Sequence, residues 1–346
     1  MMASSPPLLD PALLLAYADA QTALARVEER LRLSPVRLPW KARMALAERQ
    51  ALAGIDAYEL PEDAVTINGR GRAITSAYDL THWKHAIGMP ITLDELMADP
   101  SALLAWLGAE TGPSDEHIPG RREPWEMLPA IEAWSKACQV LPPSPPLLHG
   151  GRIAALWRQF APLARGDVVA SLLIGDRWGP GRWNGSQGGL TALGLQRAGG
   201  PWKIASGHEL DHLWLGAIVA GANAHLDLEV QLRSYAQRAA LHLADRRRLG
   251  RLKDVILFAM ARPAITSSQV AKQFGLTSAG AIKLLATAEA EGLLIERTGQ
   301  ASFRSYTIPV SGVAPSPARS RPPVIDLFEP TIWDDEGENH VPPEPL

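Results

Sequence analysis

The sequence predicts a mainly α-helical fold that ends in a small helix-turn-helix with a β-hairpin. Three observations lead there. Between Arg251 and Pro309 the apolar residues pass from helical spacing to short β-branched runs, with glycines at the changes of direction. Upstream, alanine- and leucine-rich stretches recur at helical spacing as far as Arg248, broken mostly by proline and glycine. At 346 residues and 46% apolar content, the chain is long enough for two domains with a sizeable core.

The C-terminal elements follow in order. Leu252, Val255, Ile256 and Ala259 fall on one helical face, and Pro263 closes that helix. Ser267 or Ser268 is placed to cap a second helix through Phe274, with Val270, Ala271 and Phe274 facing inward. Gly275 supplies the tight turn, Leu276 plugs the corner, and Thr277 caps a third helix from Ser278 to Glu291. Ala281, Leu284, Leu285 and Ala288 form its inner stripe, and Gly292 stops it. Leu293–Arg297 and Phe303–Ile308 read as two strands joined by a turn at Thr298-Gly299-Gln300. Helix, helix-turn-helix and hairpin wing together make a winged helix.

Winged helices commonly place the third helix in the major groove of double-stranded DNA and the wing against the backbone or minor groove. From Arg246 to Val310 ten Lys/Arg stand against four Asp/Glu, in a chain whose net charge is −3. Any nucleic-acid contact is therefore local. Arg246, Arg247, Arg248 and Arg251 are expected phosphate contacts, with Lys253 beside them. Ser278, Ala279, Ile282, Lys283 and Thr287 are the expected outward positions of the recognition helix, and Arg297, Gln300 and Arg304 the wing contacts. One cation and two hydroxyls arm that helix lightly. The alternative is a module for protein contact or dimerisation.

The rest of the chain divides into an N-terminal helical region (1–107), a flexible linker (108–124), a helical core (125–248), the winged helix (249–310) and a Pro-rich, acidic tail (311–346). Helices are expected at Pro11–Leu33, Trp40–Ala53, Tyr78–Ala86 and Leu93–Leu107, the last broken at Pro100. Val65-Thr66-Ile67 followed by Asn68-Gly69 suggests a hairpin. Further helices fall at Trp125–Val140, Leu148–Leu163, Asp167–Ile174 and Glu209–Arg248. Nine glycines between Gly175 and Gly200 predict a largely irregular segment. The tail carries seven Asp/Glu and two Arg, a disordered composition. The single cysteine, Cys138, excludes an internal disulfide and a multi-cysteine metal site, and its context predicts a buried helical residue. The N-terminus lacks a basic leader, and no run reaches the roughly 20 apolar residues that span a bilayer. A cytoplasmic location without membrane contact is expected.

Three segments carry a family resemblance. They are ERQALAGIDAY (Glu48–Tyr58), LLHGGRIAALWRQFAPLARGDVVASLL (Leu147–Leu173), and the stretch from Leu213 through Ile308. In that order they resemble the Fic family, whose enzymes transfer AMP to hydroxyls. The likeness is closest to a rhizobial, often plasmid-borne set of Fic-like proteins ending in a DNA-binding helix-turn-helix. The resemblance implies a Fic-like helical body. It also implies a lost activity, because family catalysis uses a His-Pro-Phe segment, an acidic residue and a Gly-Asn-Gly-Arg turn. The corresponding stretch here, Phe160-Ala161-Pro162-Leu163-Ala164-Arg165-Gly166-Asp167, has no histidine to act as base and no such phosphate cradle.

Two other patterns suggest chemistry. His208-Glu209-Leu210-Asp211-His212 matches H-E-x-x-H, which on a helix can hold Zn²⁺ with the glutamate as base and a third ligand from His225, Asp227 or Glu229. Asp211 inside the motif, Gly207 just before it, and the missing metzincin extension at Leu215 and Ile218 weigh against that reading. Trp178, Trp183 and Trp202, with Arg177, Arg182 and Arg197, could grip a nucleotide, although an ordered loop pinned by tryptophans is the simpler account. His82 and His85 beside Trp83 fit a polar helix face. The expectation is thus a DNA-binding, homodimeric transcriptional or plasmid-maintenance regulator, with no catalytic residue, metal or cofactor. A zinc hydrolase, an altered nucleotidyl transferase and a protein adaptor are the alternatives.

Overall fold

A computed structural model describes residues 10–55, 65–67, 73–75, 98–108, 122–178, 188–244, 250–297 and 304–310. The expected helix at Tyr78–Ala86, His82 and His85, most of the linker, Arg182 and Trp183, the wing turn and the acidic tail lie outside these residues. Among the described residues the protein is mainly helical, with eleven helices, a two-stranded hairpin and a three-stranded antiparallel sheet.

Helix α1 spans Pro11–Leu33, capped by the Asp10 carboxylate, which accepts from Ala12 N–H. Helix α2 runs Arg37–Ile55, beginning earlier than the prolines suggested. Pro39 is tolerated because amides in the first turn have no intrahelical partner. Strands β1 (Val65–Ile67) and β2 (Ala73–Thr75) pair antiparallel, Ile67 opposite Ala73, so the Asn68-Gly69 hairpin has a loop longer than two residues. Helix α3 is Pro100–Trp106, opening at Pro100 behind the Asp99 cap; Ala98 before it is helical too, so the expected break falls at Asp99-Pro100.

Helices α4 (Pro124–Gln139), α5 (Pro146–Phe160), α6 (Asp167–Trp178), α7 (Leu190–Ala198) and α8 (Gly207–Ala244) build the body. Cys138 is buried on α4, and burial pushes its thiol up to about 12, as an inert core residue requires. The segment from Gly175 to Gly200 corrects the expectation of irregularity, since helix covers both of its ends. Asp176 explains part of this order: its carboxylate accepts from the amides of Leu190 and Thr191 and from the Thr191 hydroxyl, capping α7 from the end of α6. Close packing explains the glycines. A Cβ on Gly175 would stand 2.6 Å from the Trp214 ring, one on Gly194 would strike the Ala217 backbone, and one on Gly221 would strike that of Leu190. These glycines let helices touch.

Helix α8 is a single rod of 38 residues, about 57 Å at 1.5 Å per residue. Its first half, with Leu210, Trp214, Leu215 and Ile218, joins a core shared by α2 to α7 and the first part of α1. Its second half, with Leu228, Leu232, Tyr235 and Ala239, joins a second core. Helix α1 divides likewise, giving Leu13 and Leu24 to the first core and Val27 and Leu31 to the second.

That second core contains the C-terminal elements. Helix α9 is Leu252–Met260, with all four expected residues buried. Strand β3 (Ile265–Thr266), α10 (Ser267–Phe274), α11 (Ser278–Ala290), β4 (Ile295–Glu296) and β5 (Ser305–Thr307) follow. The sheet order is β3-β5-β4, with Ile265 opposite Tyr306 and Ile295 opposite Thr307. Two expectations change. Thr266, not Ser267 or Ser268, caps α10, in a reciprocal box with Gln269. Strand β3 was missed, being too short to show a period. Gly275 closes the turn at φ +63°, and Thr277 caps α11 through Gly280 N–H. Of the inner stripe on α11, Ala281, Leu285 and Ala288 are buried and Leu284 is half-buried.

Candidate nucleic-acid interface

With Ala281, Leu285 and Ala288 buried, the opposite face of α11 turns to solvent. Ser278, Ala279, Ile282 and Lys283 are exposed on it, and Thr287 is half-buried. The Thr287 hydroxyl donates to the Lys283 carbonyl at 2.8 Å, which engages its hydrogen within the helix. Lys283 is therefore the one cation on this face, with Ser278 one turn before it. Ile282 is 54% exposed, a large apolar side chain at the centre of the same face.

The hairpin residues are less open than their sequence suggests. Arg304 is exposed but lies 3.8 Å from Glu296, and its guanidinium is held above its usual range by hydrogen bonding to Tyr306 and by that carboxylate. Arg297 is half-buried, and its backbone amide donates to the Ser305 carbonyl. Gln300, Arg246, Arg247 and Arg248 lie outside the described residues. Arg251 is exposed at the start of α9 and pairs with Asp254 at 3.3 Å. Lys272 on α10 is exposed too, a cation the sequence reading passed over.

Sequence reasoning also missed what fastens this unit to the body. Arg43 on α2 is buried and donates to three carbonyls at the end of α9: Met260 at 2.7 Å, Ala259 at 3.2 Å and Arg262 at 2.7 Å. A guanidinium fits this place because a helix C-terminus presents unpaired carbonyls and negative potential. Burial lowers its pKa to about 10, which leaves it charged at neutral pH. Nearby, Tyr235 on α8 donates its hydroxyl to the Leu293 carbonyl, at the root of the hairpin. Five residues along α2 from Arg43, Glu48 meets His225 at 2.8 Å and accepts from Gly189 N–H. Glu229 accepts from the Ser34 hydroxyl. No helical stripe betrayed these residues, since α2 is enclosed on several sides and mixes charged with apolar residues on its buried surface.

The turn between α5 and α6, which lacks the Gly-Asn-Gly-Arg cradle, is organised by an aspartate. Asp167 Oδ1 accepts from the Leu163 amide and from the Trp157 indole N–H. Desolvation raises the Asp167 pKa, opposed by those bonds, by the Ala164 amide and by the charge of Arg122. Donors that could face a phosphate instead face the chain's own carboxylate. The nucleotide-gripping alternative loses a surface as well. Trp202 is buried between Trp214, centroids 5.2 Å apart, and the Arg158 guanidinium, 5.2 Å from its ring.

The H-E-x-x-H segment forms the first turns of α8. Its proposed third ligands are engaged elsewhere in two cases: His225 with Glu48, and Glu229 with Ser34. The acidic residue near the two histidines is Asp10, from the start of α1.

Comparison of the chain with the profiles of known protein families finds no match, and a search of curated proteins finds none. No helix among the described residues is long and apolar enough to cross a membrane.

Proposed function

We propose that the protein binds double-stranded DNA through a winged helix-turn-helix formed by α9, β3, α10, α11, β4 and β5. It acts as a transcriptional or plasmid-maintenance regulator, and its Fic-like body is not catalytic. The observation that carries this reading is the exposed face of α11. A helix with a bare outer face follows a glycine turn, and a sheet ordered β3-β5-β4 shares the core beneath its inner face. Ser278, Ala279, Ile282, Lys283 and Thr287 are the residues assigned to the major groove. Arg251, with Arg246–Arg248, is assigned to phosphates, and Arg297, Gln300 and Arg304 to the flank. Each copy presents few base-reading groups, so a homodimer on two half-sites supplies affinity that one recognition helix lacks.

Ile282 favours a second reading, in which the same face meets a protein partner. An apolar residue can contact a thymine methyl, yet it also suits the centre of a protein contact. Retention from fragmented genomic DNA at low and moderate salt separates the two. The regulator yields discrete enriched sites that a Lys283→Ala/Arg304→Ala variant loses. Absence of enrichment, or equal retention by the variant, removes this reading in favour of the adaptor.

A further inference from the structure

We propose that Asp10, His208 and His212 bind a divalent transition-metal cation of the zinc type, which ties the start of α1 to the start of α8. This proposal stands independently of DNA binding. Histidines four apart share one helix face, and here the imidazoles stack with centroids 4.6 Å apart and ring planes 20° from parallel. The carboxylate arrives from a different helix, 198 residues away in sequence, with Asp10 Oδ2 3.2 Å from His208 Nε2. One ligand atom from each residue lies within 4.8 Å of the other two.

These distances suit the chemistry. In a tetrahedral zinc site with bonds of about 2.0–2.1 Å, ligand atoms stand about 3.3 Å apart. The Asp10–His208 separation is already of that size. Exposure leaves the other ligand free to close in: the side chains of His208 and Asp10 are 57% and 44% exposed, and His212 is half-buried. Two imidazoles and one carboxylate favour zinc and its borderline neighbours over magnesium or calcium, which prefer oxygen. A solvent molecule completes the fourth position.

Two local arrangements keep the ligands available. Asp10 divides its oxygens, Oδ1 accepting from Ala12 N–H to cap α1 while Oδ2 faces His208. Asp211, whose charge inside the motif argued against metal binding, is turned to Arg152 and takes a bidentate pair at 2.6 and 3.2 Å. It neither competes for nor repels the ion's ligands. The positive ends of α1 and α8 oppose a cation here, and the negative charge of Asp10 offsets them. The role is a clamp, because the third ligand comes from a helix cap.

Calorimetric titration of the chelator-treated full chain with Zn²⁺ tests this, with Mg²⁺ as control. Asp10→Asn keeps a competent helix cap while removing the anionic ligand, and His208→Gln removes an exposed imidazole. Circular dichroism confirms that both variants fold. The site predicts one equivalent of Zn²⁺ bound at micromolar or tighter Kd, no Mg²⁺ binding, and at least tenfold weakening in each variant. With Co²⁺ in place of Zn²⁺, the visible bands of a four-coordinate ion are expected. No saturable Zn²⁺ binding, or binding that both folded variants retain, overturns the assignment.

Discussion

Asp167 illustrates how a single side chain decides what a turn can do. Its carboxylate satisfies the Leu163 amide and the Trp157 indole, and burial raises its pKa above the ordinary 3.8. In the window between 3.8 and the raised value, the folded state holds a proton that the unfolded state has released. Its contribution to stability therefore falls as pH rises through that window, and the burial penalty is complete above it. Asp167→Asn retains an acceptor for both donors without the charge. Thermal melts between pH 4 and 7 should show the variant gaining on the wild type as pH rises. A constant difference across that range contradicts the account. The lone Cys138 was readable from its helical context, whereas Asp167 looked like an ordinary helix start. Its hydrogen-bond partners precede it by four and ten residues, and nothing in their types announces the pairing.

At the scale of elements, α2 is the hinge between what was legible and what was not. Helices with one apolar stripe and a proline at one boundary, such as α1 and α9, could be read closely, because period and punctuation agree. In contrast, α2 buries Arg43, Glu48 and Arg49 beside Trp40, Met44 and Leu52, so its sequence shows no single inner face. Glycines misled for a related reason. Between Gly175 and Gly200 they signal helix contact as well as turn, a distinction that depends on what lies across the interface. Strand β3 and the Asp10 contact were invisible because their partners lie far away in sequence. The coupling of α2 to α9 rests on Arg43. Arg43→Met should cost roughly 3 kcal/mol, since it removes the donor to the Met260 and Arg262 carbonyls at a buried helix end, the Ala259 carbonyl keeping backbone donors. Denaturant unfolding measures this, and a loss below about 1 kcal/mol would show that the guanidinium is dispensable.

The whole molecule combines two cores along one long helix. Helix α8 enters the first core with Leu210 and Trp214 and the second with Leu232 and Tyr235, so the C-terminal elements share a core with the body. Arg43 and Tyr235 fasten the two together, so that on the proposed reading a change in the body could reach the exposed face of α11. The chain carries a net charge of −3, whereas Arg246 to Val310 holds ten Lys/Arg against four Asp/Glu, a local excess of positive charge. On the proposed reading, affinity for DNA comes from a local set of phosphate contacts, and its salt dependence counts them. The most direct measurement is the slope of log K against log salt for full-length protein on a retained DNA fragment, with and without Lys283→Ala. Binding by the assigned face predicts a steep negative slope that becomes shallower by about one in the variant if Lys283 meets a phosphate, or lost sequence preference at unchanged slope if it reads a base. Binding that is insensitive to salt, or a variant with unchanged slope, affinity and preference, would contradict the assignment of α11 to DNA.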